Sequence, residues 1–175
     1  MKRIGVISDT HGYLDPAILR YFGECDEVWH AGDIGSDDVL TALQGICPTV
    51  RAVCGNIDGG RIRLSCPEWL EFETEGARVI LTHIGGYPGR YTAGMRSRIT
   101  ETRPTLMVCG HSHILRVMYD RKLDVLHINP GAAGRQGWQQ VRTVIRFDID
   151  NGTPRNLEVI ELAGRGKGTT CHKSN

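Results

Sequence analysis

The sequence lacks several features that would assign the protein to a specialised class. No apolar run approaches the roughly 20 residues of a membrane-spanning helix, and the short run Ile4–Ile7 cannot form the core of a signal peptide. None of the six cysteines belongs to a C-x-x-C pair, so neither a zinc knuckle nor a thioredoxin-like site is predicted. The formal net charge is only +1, which argues against a protein dedicated to binding nucleic acid.

What remains is the pattern of an ordinary globular protein, which we expect in the cytoplasm. Its 175 residues, 40% of them hydrophobic, suffice for one domain with its own core, and we predict that domain over residues 1–163. Residues 164–175 are rich in Gly, Lys and Thr without an apolar pattern, so a disordered tail is predicted there. The cysteines are interpreted as small buried residues in a reducing compartment.

Strand and helix patterns alternate in the first half of the chain. Apolar, β-branched runs predict strands at Arg3–Ser8, Glu27–Ala31 and Thr49–Cys54. Capping residues open predicted helices at Asp15–Phe22 and Ser36–Leu43. This order predicts parallel strands joined by helical crossovers.

The second half is richer in strands. Glu75-Gly76 and Asn151-Gly152 are predicted as hairpin turns, and Tyr91–Thr102 as a helix that stops near Pro104. Further strands are predicted at Trp69–Glu73, Arg78–Thr82, Leu106–Cys109, Leu115–Tyr119, Val125–Ile128, Val141–Ile149 and Leu157–Leu162. About ten strands do not fit one flat sheet, so two stacked sheets with helices outside are predicted.

Side chains that can bind metal ions recur directly after the predicted strands. They are Asp9, His11, Asp33, Asn56, His83, His111 and His113. In parallel α/β sheets, ligand sites lie beyond the carboxyl ends of the strands, on loops that the sheet positions. We therefore expect these seven side chains to converge. His30 and His127 lie within strands and are interpreted as supporting residues rather than ligands.

The donor set favours transition metals. Two carboxylates, one amide oxygen and four imidazoles suit Mn²⁺, Fe or Zn²⁺ better than Ca²⁺ or Mg²⁺. A carboxylate can bridge two ions roughly 3.5–4 Å apart, and Asp33 is the candidate bridge. Two divalent ions and two carboxylates leave a cationic centre that attracts an anion such as a phosphate, and the neutral amide of Asn56 preserves that excess.

Taken in order, these motifs resemble the signature of calcineurin-like metallophosphoesterases. They read S-D-T-H at Ser8–His11, G-D at Gly32-Asp33, G-N-x-D at Gly55–Asp58, T-H at Thr82-His83 and G-H-S-H at Gly110–His113. The short chain and the N-P-G at Asn129–Gly131 are similar to the small prokaryotic, YfcE-like phosphodiesterase branch. The resemblance spans Arg3 to Leu162.

The resemblance implies a fold, a metal content and a reaction. The implied fold is an α/β, four-layer αββα sandwich of two mixed β-sheets flanked by helices. Two divalent transition-metal ions are implied, Mn²⁺ foremost with Fe, Zn or Ni as alternatives. One would be held by Asp9, His11, Asp33 and His113, and the other by Asp33, Asn56, His83 and His111. The implied reaction is attack of a metal-bridging hydroxide on a phosphodiester, with Asp33, Asn56 and His83 as catalytic residues.

One departure from the family pattern concerns the leaving group. Larger phosphatases of the superfamily carry a His after the Asn, whereas this chain has Ile57. Ile57 cannot donate a proton, so alkyl phosphomonoesters are expected to be poor substrates. Without that His, Asp58 has no imidazole to orient. We expect the Asp58 carboxylate to be free to orient the new imidazole in an Ile57→His variant.

A second departure follows His83, where the Gly-rich loop Ile84–Tyr91 replaces a segment that often carries another His in small family members. Arg90 is a candidate contact for the substrate phosphate, beside the Asn56 amide, and Tyr87 or Tyr91 could stack on a ring. The alternative is a loop that only packs over the site.

Three functions stay open on sequence alone. They are a phosphodiesterase, a phosphomonoesterase on the same site, and a non-catalytic scaffold like the retromer subunit that shares the fold but has an impaired metal site. The complete set of ligand residues favours an enzyme, and Ile57 disfavours the monoesterase. The expected partner is a small-molecule phosphodiester, without a membrane or a stable nucleic-acid complex. Self-association of small relatives makes a homo-oligomer an option.

Overall fold

Two five-stranded sheets, a two-stranded hairpin and four helices form the fold of residues 1–164, which are the residues that the computed structural model describes. The helices are α1 Pro16–Phe22, α2 Asp37–Gln44, α3 Gly60–Ser65 and α4 Met95–Thr102. The strands are β1 Lys2–Ile7, β2 Glu27–His30, β3 Thr49–Ala52, β4 Trp69–Thr74, β5 Ala77–Thr82, β6 Gly86–Tyr87, β7 Arg90–Tyr91, β8 Leu106–Val108, β9 Leu115–Asp120, β10 Val125–Pro130, β11 Arg142–Asp150 and β12 Thr153–Leu162.

Both large sheets are mixed. The first has the order β12-β11-β1-β2-β3, and its strands β1, β2 and β3 are parallel. The second has the order β4-β5-β8-β10-β9, and its strands β5, β8 and β10 are parallel. Antiparallel neighbours complete each sheet. The parallel strands of the first sheet are connected through α1 and α2, as the alternating pattern predicts.

Three hydrophobic clusters separate four layers. The central cluster joins residues of both sheets, such as Val6 and Trp29 of the first and Val79 and Leu81 of the second. A second cluster packs α1, α2 and α3 on the outer face of the first sheet. A third packs α4 on the outer face of the second sheet through Ile99. The predicted αββα sandwich is confirmed.

Local signals account for most of the boundaries. Asp15 caps α1 by accepting the N–H of Ala17 at 3.0 Å, and Ser36 caps α2 by accepting the N–H of Asp38 at 3.2 Å. Both turn dipeptides adopt positive φ angles, as Asn151 (46°) and Gly152 (79°) illustrate, and both predicted hairpins are confirmed. Within residues 1–164, no helix is long and apolar enough to span a membrane.

Two parts of the prediction were wrong or incomplete. The helix predicted from Tyr91 begins only at Met95, because Tyr91 pairs with Gly86 in the small β6–β7 hairpin and Gly94 adopts a left-handed conformation before the helix. Helix α3 and the β6–β7 hairpin were not predicted, since both are short and rich in glycine and polar residues. Apart from Gly164, the predicted tail 164–175 lies outside the described residues.

Candidate metal centre

The structure brings all seven predicted ligands into loops at the carboxyl ends of parallel strands from both sheets. Asp9 and His11 follow β1, Asp33 follows β2, Asn56 follows β3, His83 follows β5, and His111 and His113 follow β8. Backbone hydrogen bonds hold neighbouring loops together. The N–H of His11 donates to the carbonyl of Asp33, and the N–H of Gly110 donates to that of His83, both at 3.0 Å.

The glycine before each of three ligands leaves space for a side chain from another loop. A β-carbon on Gly55 would lie 2.0 Å from Asp33 Oδ1, and one on Gly32 would lie 2.6 Å from His83 Nδ1. Gly110 is similarly close to the loop after β1. The G-D, G-N and G-H motifs therefore allow the loops to approach closely enough for their ligands to meet.

The first group of donors consists of Asp9, His11, Asp33 and His113. One donor atom from each lies within 4.8 Å of all the others. His113 Nε2 is 3.1 Å from Asp9 Oδ1, and His11 Nε2 is 3.7 Å from Asp33 Oδ2. This spacing allows all four side chains to reach one ion.

The second group contains Asp33 again, with His83 and His111. His83 Nε2 is 3.2 Å from Asp33 Oδ1, the carboxylate oxygen other than the one that faces the first group. Asn56 Oδ1 lies 3.0 Å from His83 Nε2 and 2.9 Å from His111 Nδ1. Asp33 therefore presents one oxygen to each group.

The donors fit a divalent transition metal. Asp9 is fully buried, and the imidazole of His113, 3.1 Å away, is the donor group nearest its Oδ1 among the described residues. His11 Nε2 and His113 Nε2 lie 3.4 Å apart, so two imidazoles point their nitrogens at the same place. A buried ionised oxygen is costly unless a positive group faces it, and mixed nitrogen and oxygen donors match Mn²⁺, Fe or Zn²⁺.

The backbone is strained at these positions. Among residues 1–164, ten non-glycine residues have positive φ, and five of them belong to the donor groups: Asp9, His11, Asp33, His111 and His113. Left-handed conformations of such residues cost energy and concentrate at functional sites. No feature of the sequence marked this strain.

Neighbouring groups orient the imidazoles. His83 Nδ1 is 2.7 Å from the Ala31 carbonyl, which leaves Nε2 to face Asp33. His113 Nδ1 is 2.9 Å from Gln139 Oε1, which leaves Nε2 to face Asp9. Gln139, which the sequence analysis missed, thus supports a predicted ligand in the way that outer partners of metal sites commonly do.

His30 and His127 are strand residues that support the loops, as predicted. His30 Nε2 lies 2.9 Å from Thr10 Oγ1, its Nδ1 accepts the N–H of Gly32 at 3.2 Å, and burial lowers its pKa to about 4. His127 Nε2 lies 3.0 Å from the Gly86 carbonyl, and burial lowers the pKa of His127 to about 4 as well. Both are therefore neutral at physiological pH.

The charges of the donor groups depend on each other. The adjacent Asp9 carboxylate raises the pKa of His113 despite partial burial. Burial alone would lower the pKa of His83, but Asp33 and Asp9 raise it overall. Burial lowers the pKa of His11. In the absence of metal, His83 and His113 therefore hold protons more tightly than an isolated imidazole does.

Asp58 connects two of the ligand loops. Its carboxylate accepts the N–H groups of Ile34 at 3.0 Å, Gly35 at 2.8 Å and Gly55 at 2.7 Å. The expectation that Asp58 is free to orient a side chain at position 57 is wrong, since the carboxylate is buried and already bonded. An Asp three residues after Gly55 is a turn signal that could have suggested this role.

Arg90 is not placed among the donors. It is exposed and lines a cavity of about 590 Å³ together with Arg96 and Arg121, and none of the seven predicted ligands lines that cavity. A different arginine, Arg116, shares a cavity with His111. The substrate contact assigned to Arg90 stays a prediction.

Comparisons with known proteins identify the family of the chain. Residues 1–152 match the family described as the calcineurin-like phosphoesterase superfamily domain. The chain is 35% identical to a probable metallophosphoesterase of Methanothermobacter thermautotrophicus, over 74% of this chain and 76% of that protein. It is 28% identical to a phosphodiesterase of Methanocaldococcus jannaschii, over 74% of this chain and 82% of that protein.

Among solved structures, Vps29 of Chaetomium thermophilum has a TM-score of 0.72 at 18% identity, covering 93% of this chain and 97% of its own. That likeness concerns the fold alone. The match over residues 1–152 and the archaeal relatives confirm the resemblance read from the motifs. The chain belongs to the calcineurin-like phosphoesterase superfamily, and it is a phosphoesterase of that family.

Proposed function

We propose that the protein is a phosphodiesterase with a binuclear metal centre, which hydrolyses a small phosphodiester in the cytoplasm. The observation that carries this proposal is the position of Asp33, whose Oδ1 is 3.2 Å from His83 and whose Oδ2 is 3.7 Å from His11. A carboxylate that faces two complete donor groups is suited to bridging two ions.

The chain's own residues would hold the metals and orient the substrate. Asp9, His11, Asp33 and His113 would bind one ion, and Asp33, Asn56, His83 and His111 the other. When bound, two divalent ions, with Mn²⁺ proposed and Fe, Zn or Ni as alternatives, lower the pKa of a water molecule and neutralise charge on the phosphoryl oxygens. Asn56 contributes a neutral oxygen, so the centre keeps the positive charge that attracts a phosphodiester.

Diesters with a good leaving group are favoured over alkyl monoesters because of Ile57. Its side chain is 48% exposed and has no group that could protonate a departing alkoxide. Hydrolysis breaks one P–O ester bond and forms one bond from water oxygen to phosphorus, and a good leaving group needs no proton for this step. Aryl diesters are therefore the substrates of choice for a first assay.

The cytoplasmic assignment is supported by the cysteines. Five of the six lie in residues 1–164, and all five are buried and free of disulfides there. Burial raises the pKa of Cys25 and of Cys109 to about 12, which keeps these thiols protonated and unreactive. Free thiols of this kind are usual in a reducing compartment.

The test combines metal analysis with turnover. Protein loaded with Mn²⁺ is expected to retain two ions per chain and to hydrolyse bis(p-nitrophenyl) phosphate. One ion or none per chain would contradict the binuclear centre. Two ions without turnover of any diester would favour the non-catalytic scaffold function.

A further inference from the structure

A small cavity opens beside His111, one of the predicted ligands. It has a volume of about 190 Å³, and its walls include the loop after β5 and the side chains of Tyr87, Arg116 and His127. At roughly 30 Å³ per molecule of liquid water, this space would hold about six waters. The cavity can therefore accept a short chemical group.

Arg116 supplies the positive charge of this cavity. Its guanidinium carbon lies 3.9 Å from the centre of the Tyr87 ring, and it makes no ion pair with any residue of the described part of the chain. A guanidinium stacked through its face still has its N–H groups free along the edge. These N–H groups can bind a carboxylate or a phosphate through two parallel hydrogen bonds.

The other described residues that line the cavity do not neutralise that charge. None of them is an Asp or a Glu. His127 is almost fully buried, and burial lowers its pKa to about 4, so it adds no charge at neutral pH. The cavity thus combines one cationic side chain with walls that carry no acidic residue, and this combination favours an anion over a neutral group.

Glycines of the loop after β5 give the cavity its shape. A β-carbon on Gly85 would lie 2.1 Å from Met107 Cε, and one on Gly86 would lie 2.3 Å from the Arg90 carbonyl. Gly86 also has a φ of +76°, which favours glycine. These two residues let the β6–β7 hairpin fold tightly and carry Tyr87 to Arg116.

We propose that this cavity binds one arm of the phosphodiester, and that Arg116 selects an arm that is short and ends in a carboxylate or a phosphate. This inference rests on the proposed phosphodiesterase function and deepens it. The reaction centre lies at the ligands, whereas Arg116 would determine which diester is bound. His111 belongs to the second donor group and also lines the cavity, so the two sites are adjacent.

The experiment compares diesters that share one leaving group. Three p-nitrophenyl diesters carry a propyl, a 2-carboxyethyl or a 2-phosphoethyl group as the second arm, so that the bond broken and the nitrophenolate released are the same. The anionic arms are expected to lower KM relative to propyl, and the better of the two identifies the terminal group. Equal KM values for all three would overturn the inference.

Variants test whether Arg116 causes the preference for an anionic arm. Arg116→Met is expected to raise KM for the preferred anionic arm about tenfold or more, the usual effect of a lost charge-assisted hydrogen bond, and so to remove its advantage over the propyl arm. Arg121→Met, which removes the same charge from the separate cavity beside Arg90, serves as the matched control. Arg116→Lys is expected to keep part of the preference because it keeps the charge.

A binding measurement tests the arm site independently of diester hydrolysis. Calorimetry with the metal-loaded protein compares 3-phosphonopropionate with propylphosphonate, neither of which can be hydrolysed as a diester. Tighter binding of the carboxylate compound by the wild type, lost in Arg116→Met, would support the arm site even if no diester were turned over. Turnover of the propyl diester without any anionic preference would support the phosphodiesterase and refute the arm site.

Discussion

Gly55 and Asp33 are so close that a β-carbon on Gly55 would lie 2.0 Å from Asp33 Oδ1. Gly55→Ala is therefore expected to displace the carboxylate that both donor groups share. A shift of about 1 Å in a reacting group can reduce turnover about 10²-fold, and overpacking costs about 1–3 kcal/mol of stability. Metal content by mass spectrometry and hydrolysis of an aryl diester would measure the effect on the centre, and urea unfolding would measure the loss of stability.

The control for this prediction is Gly59→Ala. Gly59 has nothing within 4 Å of an added β-carbon and its φ is −138°, so the substitution tests only the loss of a glycine from the same loop. Gly59→Ala is expected to keep wild-type metal content and activity. Full metal content in Gly55→Ala would mean that Asp33 can move without affecting the centre.

The second prediction distinguishes the shared ligand from an unshared one. Asp33→Asn replaces a charged bridge by a neutral group of the same shape, and the loss is expected to lower occupancy of both metal positions. His113→Ala removes a donor of the first group alone and is expected to leave about one ion per chain. Stoichiometry measured by mass spectrometry under equal loading decides between these outcomes. A fully loaded Asp33→Asn protein would refute the bridge.

The sequence predicted the positions of the candidate ligands better than the contacts that support them. All seven side chains were identified because they follow strands, and the carboxyl ends of parallel strands meet at one edge of a sheet. Asp58 and Gln139 were not recognised, since their partners are mostly backbone groups or residues distant along the chain. Such contacts depend on how loops approach each other, which no local pattern encodes.

Arg90, whose substrate contact stays a prediction, illustrates the same limit. Its proximity to His83 along the chain suggested proximity in space, but the β6–β7 hairpin turns Arg90 toward a separate cavity and Tyr87 toward Arg116. The two-residue strands of that hairpin are too short for a periodic signal.

The third prediction concerns Asp58. Asp58→Asn replaces an acceptor of three backbone N–H groups by an amide that can satisfy only part of them, so the free energy of unfolding is expected to fall by about 3 kcal/mol. Urea unfolding of metal-free protein would measure this loss. Asp38→Asn, at an exposed position in the first turn of α2, is the matched substitution and should cost less than about 1 kcal/mol.

The fourth prediction revises the expected effect of Ile57→His. Since Asp58 is held by backbone N–H groups, a new imidazole would have no carboxylate to orient it. The gain on an alkyl monoester is therefore expected to fall below the 10²–10⁴-fold that positioned acid catalysis typically contributes, at about tenfold or less. Rates on an alkyl and an aryl monoester at equal metal loading provide the measurement. A gain of about 10³-fold restricted to the alkyl ester would mean that another group orients the imidazole.

The last prediction follows from the histidines whose pKa values are raised. The Asp9 carboxylate raises the pKa of His113, and in metal-free protein this contact stabilises the fold below a pH of about 6.5 and weakens as pH rises through the folded pKa.

Metal binding requires neutral imidazoles, so it must displace that proton and the one on His83. Each metal position has one of these two imidazoles, so apparent Mn²⁺ affinity at each position is expected to rise up to about tenfold per pH unit while that imidazole is protonated, and to level off above its folded pKa. His11 contributes little, because burial lowers its pKa. Calorimetry in buffers of different ionisation enthalpy would count the protons released, and zero release at about pH 6 would contradict metal coordination by His83 and His113.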